Sequence, residues 1–262
     1  MKVAAAQIFC ALGDFDANVR KIRDFCGFAK KSGAELIVFP EMTDTGYSMP
    51  VIQKHAKKWK EGVATELQKI AKENSIAIVA GISDREGESI FNAQVLVNAR
   101  GEVLGKYRKT HLVTAAPLDE RVCFSPGSEF VACKIDNYQV GLSICYDLRF
   151  PEMARTLVVN HGADVIVNSS AWPVVRAEHL KILAVARAVE NQSYFIIANR
   201  VGTDDGVTFC GGSLIVDPSG KVIVAASPDR EELIAAEISA DVIAQVRNLV
   251  RVFDHRRPEL YQ

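Results

Sequence analysis

Short apolar runs alternate along this chain with longer stretches whose apolar residues recur every three to four positions, and that alternation confines it to a layered α/β fold. Val3 to Ile8, Leu36 to Phe39 and Ile76 to Ala80 read as strands. Asn18 to Lys31, stopped by Ser32-Gly33, and Glu61 to Asn74 read as the helices between them. Asn92 to Asn98, the turn Ala99-Arg100-Gly101-Glu102 and Val103 to Tyr107 predict an antiparallel hairpin, so the sheet is mixed. Phe130 to Ile135, Gln139 to Cys145, Asp164 to Ser170 and Tyr194 to Asn199 add strands. Pro151, whose missing donor is no loss in a first turn, opens a helix to Asn160, and Arg176 to Asn191 forms another. Gly212 to Asp217, Lys221 to Ala226 and Leu233 to Glu237 read as three further strands. Two sheets under outer helices account for this number. With 262 residues, no low-complexity linker and no short-period repeat, we expect a single domain over 1–262.

Acidic and basic residues nearly cancel, to a net charge of −1, without blocks of like charge; neither nucleic acid nor an anionic membrane is indicated as a partner. The nearest approach to a basic run, Lys54 to Lys60, is expected to be a solvated helix face. No apolar run reaches membrane-spanning length, and the chain opens on a strand rather than on a secretory leader. Six scattered cysteines, with no Cys-x-x-Cys pair and no histidine at zinc spacing, predict a reducing cytoplasm and no metal site.

The chemistry is signalled at strand ends, where α/β proteins expose side chains just beyond the core. Leu36-Ile37-Val38-Phe39 runs into Pro40-Glu41, Val103 to Arg108 into Lys109-Thr110-His111, and Gly141-Leu142-Ser143-Ile144 into Cys145. A free thiol is only slightly ionised at neutral pH, so a nucleophilic cysteine needs a base or a cationic neighbour. Glu41 can supply the first and Lys109 the second, with the ammonium and the backbone amide of Tyr146 holding the oxyanion of a tetrahedral intermediate. Each residue alone has a plain structural reading: Cys145 as a buried thiol, Glu41 and Lys109 as surface charges, His111 as a hydrogen-bonding residue rather than the base of a Cys–His pair. The long segment from Lys109 to Val131, with Pro117, Pro126 and Gly127 and little periodicity, has the character of a functional loop.

The segments Phe-Pro-Glu-Met, Tyr-Arg-Lys-Thr-His-Leu and Ile-Cys-Tyr-Asp-Leu-Arg-Phe-Pro-Glu, in that order and separation, closely resemble the nitrilase superfamily of carbon–nitrogen hydrolases. Ala186 to Gln192, Gly211 to Lys221 and Val252 to Tyr261 extend the resemblance over nearly the whole chain. It implies a four-layer αββα sandwich that pairs into homodimers or higher assemblies. It further implies Glu41 as base, Lys109 as oxyanion stabiliser, Cys145 as nucleophile, and no metal or organic cofactor. The same resemblance draws attention to Glu120 as a further glutamate supporting the site, with Asp119 the alternative if the register slips by one and an exposed loop acid the plain reading. True nitrilases generally follow the cysteine with tryptophan and glutamate. Tyr146 and Asp147 stand there instead, which disfavours nitriles and is similar to the amidase and carbamoylase branches, most of all the omega-amidase group. A dicarboxylic acid monoamide is therefore the expected substrate. The alternatives are an N-carbamoyl amine or amino-acid hydrolase and, more remotely, a non-catalytic partner-binding protein on the same scaffold. Arg149 is either a clamp for a substrate carboxylate or a structural partner of Asp147 or Glu152, and Tyr47 and Trp172 either line the acyl pocket or belong to the core.

Overall fold

Alternation along β1 (Lys2–Gln7) decides the layering, because Val3 and Ala5 join one apolar cluster while Ala4 and Ala6 join another. The second cluster is closed by α1 (Phe15–Lys31), whose buried Val19, Ile22, Cys26 and Ala29 repeat at helical spacing behind an Asp14 cap. The structure, a computed structural model, describes residues 1–116 and 118–261, so Pro117 and Gln262 lie outside the described residues. After β2 (Leu36–Val38) come α2 (Met49–His55) and α3 (Val63–Asn74), the latter adding Leu67 and Ile70 to the same outer layer. Then follow β3 (Ala77–Glu86), β4 (Ser89–Val97) and β5 (Val103–Arg108).

The second half repeats the plan: β6 (Ala132–Ile135), β7 (Tyr138–Ile144), α4 (Pro151–Val159), β8 (Val165–Ser170), α5 (Ala177–Asn191) and β9 (Tyr194–Asn199). A two-stranded ribbon, β10 (Val201–Asp204) and β11 (Val207–Cys210), precedes β12 (Leu214–Val216), β13 (Val222–Ala225), β14 (Glu232–Glu237) and α6 (Ala240–Leu249). One six-stranded sheet has the order β14-β1-β2-β3-β4-β5 and the other β13-β12-β9-β8-β7-β6. Each is parallel at its centre, β1-β2-β3 and β7-β8-β9, and antiparallel at its flanks. The sheets pack face to face, β1 on β9, β2 and β3 on β8, β4 on β7, and the helices cover the outer faces in the expected αββα sandwich.

Two expectations need correction, and two elements went unassigned. The strand beginning near Ile76 runs on to Glu86 and turns through Gly87 into β4, so the hairpin is the end of a three-strand meander. The ribbon and α6 are elements that the reading of the sequence did not assign. The basic stretch is not one helix face: α2 stops at His55, and Lys57 lies over the Phe15 ring at 4.5 Å while Trp59 to Glu61 forms a separate turn. No helix among the described residues is long and apolar enough to cross a membrane.

Candidate active site

The two antiparallel reversals from β3 to β5 return β5 to the direction of β2, so both strands finish on one rim of their sheet. β7 and β8 finish opposite them on the facing sheet. The rim is stitched across by Ser169 Oγ, which donates to the Phe39 carbonyl at 2.7 Å and accepts from Gln94 Nε2 at 2.8 Å. Close approach is possible because β3 carries glycine at 81: a Cβ there would stand 2.6 Å from the Glu41 Cα and 2.7 Å from the Pro40 oxygen. Glu41, Lys109 and Cys145 thus leave their strands into one region.

Glu41, Lys109 and Glu120 form a fully buried ionic cluster. Lys109 Nζ lies 2.8 Å from Glu41 Oε1 and 2.8 Å from Glu120 Oε1. Asn92 Nδ2 donates to the same two oxygens, at 2.6 and 3.1 Å. Glu41 Oε2 accepts from the Ala171 N–H at 2.9 Å, and Glu120 from the Tyr47 hydroxyl at 2.7 Å and the Val113 N–H at 2.7 Å. Every carboxylate oxygen therefore has a donor, as buried charge requires. Burial raises the Glu41 carboxyl above the ordinary range against the pull of Lys109, with Glu120 adding to the rise. Burial alone would depress Lys109, but Glu120 and Glu41 outweigh it and hold the ammonium charged. An ammonium has three donors, and two are spent on these acids.

Cys145 follows β7 with a left-handed φ of 42°, a conformation unfavourable for a side chain with a Cβ, and opens the tight turn Cys145–Arg149. Asp147 braces that turn: it accepts from the Ile144 N–H at 2.9 Å and from the Tyr107 hydroxyl at 2.7 Å, and its other oxygen lies 2.8 Å from His111 Nδ1. His111 in turn stacks on Phe150, centroids 3.8 Å apart. Burial pushes the Cys145 thiol well above its usual range, Glu41 adds to this, and Lys109 and the Ala171 N–H oppose it. Ionising a thiol so placed requires a proton acceptor at hand. The N–H groups at the start of such a turn, Tyr146 among them, find no acceptor inside it.

A cavity of about 280 Å³ is lined in part by Cys145 and Tyr146. Its apolar wall includes Val113, Leu118 and Trp172, and its polar wall is Arg149, Arg176 and His179. Arg149 lies 4.9 Å over the Trp172 ring and 3.1 Å from His179 Nδ1. Neither Asp147 nor Glu152 pairs with it: Asp147 is taken up by the Ile144 N–H, the Tyr107 hydroxyl and His111, and among the described residues no carboxylate forms an ion pair with Arg149 or Arg176. Trp172 is on the cavity wall, whereas Tyr47 stands behind Glu120, its ring edge-on to Phe209. Glu120 is the buried acid, and Asp119 caps the turn at Glu120–Val122, paired with Arg121 on the surface. Asn92, Arg176 and His179 were not singled out in the sequence. Polar residues at alternate positions of an otherwise apolar strand, Asn92 and Gln94, were the available signal for the first.

The family model described as carbon-nitrogen hydrolase matches residues 2–248. A 2-oxoglutaramate amidase of Bacillus subtilis is 34% identical over 99% of this chain and 98% of that protein. An omega-amidase of Pongo abelii is 30% identical over 93% of this chain and 90% of its own length. The solved amidase of Nesterenkonia sp. AN1 superposes with a TM-score of 0.88 at 28% identity, covering 100% of this chain and 98% of that one. A variant of that amidase, TM-score 0.85, shows the result of Michael addition of acrylamide at its active site cysteine.

Proposed function

This chain belongs to the carbon–nitrogen hydrolase family and hydrolyses amides through a cysteine thiol, and on that footing we propose that it acts as one domain on the terminal amide of a small dicarboxylic acid monoamide. The observation that carries the substrate class is the cavity, where two guanidinium groups without carboxylate partners, one of them over the Trp172 ring, line the same space as Cys145. Guanidinium matches a carboxylate in two-pronged geometry. The names of the Bacillus and Pongo relatives point the same way.

In this reading Glu41 takes the Cys145 proton as the sulfur attacks the amide carbon. Lys109, through the ammonium hydrogen not spent on Glu41 and Glu120, and the Tyr146 N–H hold the oxyanion. Collapse breaks the C–N bond, Glu41 returns the proton to the departing ammonia, and a thioester remains. Water then loses a proton to Glu41 and adds to the thioester, a second oxyanion forms and collapses, and the carboxylate leaves as Cys145 recovers its proton. Glu120 keeps Lys109 charged and in place. The exposed apolar residues Val175 and Ile182, 72% and 63% accessible near the start of α5, fit a homodimer or larger assembly, and six free cysteines fit the cytoplasm.

The test is ammonia release from monoamides of succinic, glutaric and 2-oxoglutaric acids, unsubstituted amides of equal length, and N-carbamoyl compounds, with Cys145→Ala as control. Turnover of the carboxylated amides that is lost in the variant supports the reading. Carbon dioxide accompanying ammonia, from carbamoyl compounds alone, would replace it with the carbamoylase alternative.

A further inference from the structure

We propose that Asn92 is a positioning residue that keeps Glu41 Oε1 occupied, leaving Oε2 as the oxygen that receives the thiol proton. The inference rests on the reading of Glu41 as the base. Asn92 is bonded to all three residues of the cluster: its Nδ2 bridges Oε1 of Glu41 and Oε1 of Glu120, and its backbone carbonyl accepts the Lys109 backbone N–H at 2.8 Å. Lys109 Nζ bridges the same two oxygens, so each carries two strong donors or more. Glu41 Oε2 has the Ala171 N–H, and a carboxylate oxygen accepts more than one bond. Ala171 follows β8 and Cys145 follows β7, parallel neighbours with Ile144 opposite Ser169, so the N–H bonded to Oε2 and the nucleophile leave adjacent strand ends.

The orientation of the Asn92 amide follows from charge. Turned over, its oxygen would face two carboxylate oxygens. Its actual oxygen is buried and has no hydrogen-bond partner among the described residues, a cost that an apolar side chain at this position would avoid. A residue kept at such a cost, its amide bonded to both acids of the site, serves the cluster's geometry rather than the stability of β4. Gln94, two residues along the same face, has the same kind of unpartnered oxygen but bonds Ser169 and touches no acid.

Glu41 is also faced by Lys109 from the end of β5, Glu120 from the segment beyond it, Tyr47 from the loop after β2 and Cys145 from the end of β7. Of these donors and charges, removing the Asn92 amide takes away one that favours ionised Glu41 and none that opposes it. In Asn92→Leu the acid limb of kcat/KM moves to higher pH. Its kcat falls by about 10- to 100-fold as the carboxylate loses its fixed orientation, while KM changes less than about threefold because Asn92 does not line the cavity. The assay is the pH profile of hydrolysis of the best monoamide for Asn92→Leu, Gln94→Leu and Glu41→Gln, with thermal melting alongside. Should the leucine variant fail to fold, Asn92→Ser, which also removes the bridging amide, is read in the same way. An unmoved acid limb, or one that moves equally in Gln94→Leu, overturns the role of Asn92. Retention of activity by Glu41→Gln overturns the reading of the base itself and is distinguishable from either.

Discussion

Two buried ion clusters stand near the same rim, joined by one residue: the Tyr47 hydroxyl donates to Glu120, and the Tyr47 backbone N–H donates to Asp204 Oδ2 at 2.9 Å. On one side are two acids to one cation, every carboxylate oxygen bonded, with Cys145 beside them lining a cavity. On the other, Arg200 and Asp204 pair at 2.5 Å, one charge each, under the Phe209 ring at 4.5 Å from the guanidinium. There Asp204 Oδ1 and Arg200 Nε have no partner among the described residues. The contrast separates two uses of buried charge. A balanced pair with loose ends pins the β10 ribbon to the rim. A cluster with surplus negative charge and a donor on every carboxylate oxygen is the arrangement that the proposed proton transfer at Glu41 and oxyanion binding at Lys109 would need.

The sharpest way to break this contrast is at Cys145, the proposed nucleophile. Cys145→Ala should lower amide hydrolysis on the order of 10⁵-fold or more, while the melting temperature stays within a few degrees, about the shift of 1 kcal/mol. A comparable loss of rate from any change at Arg200 would erase the distinction. Next is Lys109→Met, which leaves two facing carboxylates without their cation. Rate should fall by about 10³-fold or more and stability by about 3–5 kcal/mol, measured by hydrolysis and by urea unfolding. Rate loss without destabilisation would mean that the acids simply take up protons.

How much of this was readable beforehand follows from what apolar periodicity encodes. It marks where strands end, so Glu41, Lys109 and Cys145, each following an apolar run, stood out. It says nothing of which side chains meet across the two sheets. Asn92 sits inside a strand and looks like ordinary alternation; its role exists only because β4 lies beside β5 and opposite β7. Arg149 could not be assigned for the same reason. The acids close to it in sequence were natural partners, yet Asp147 is claimed by Tyr107 and the backbone of its own turn, and Arg149 meets His179, thirty positions away, instead. Whole-chain resemblance filled in the αββα layering, which period counting left as two sheets of unspecified facing.

A change at the balanced pair should act on stability and hardly on rate. Arg200→Leu leaves Asp204 buried and unpaired, with an expected loss of about 3–5 kcal/mol, while kcat at a temperature where the protein is folded changes less than about tenfold. The double variant Arg200→Met, Asp204→Leu should regain most of that loss, short by the about 1–2 kcal/mol for the Tyr47 N–H left without its acceptor. If the double variant instead loses activity in step with Lys109→Met, the two clusters work as one unit through Tyr47.

The finest distinction is made by a further buried acid, which forms no ion pair among the described residues. Asp44 is held by the Ser83 N–H and by the Ser83 hydroxyl at 2.6 Å, and burial raises its pKa to about 6 in spite of those bonds. In the unfolded chain its carboxyl ionises near the ordinary 3.8. Between these values the folded protein binds the proton that the unfolded chain releases, so stability falls as pH rises through the window. The cost is complete above about pH 6 and disappears below about pH 4, and a shift of this size corresponds to roughly 3 kcal/mol. Urea midpoints from pH 7 down to pH 4 should show this contribution as a gain on acidification that Asp44→Asn, uncharged throughout, lacks. Glu41, raised by burial as well but tied to Lys109, gives a gain of the same sign only above its own ordinary range. Equal pH slopes in the wild type and Asp44→Asn would mean that Ser83 alone suffices to keep a buried carboxylate ionised, and the cation beside Glu41 would then be there for the reaction and not for the acid.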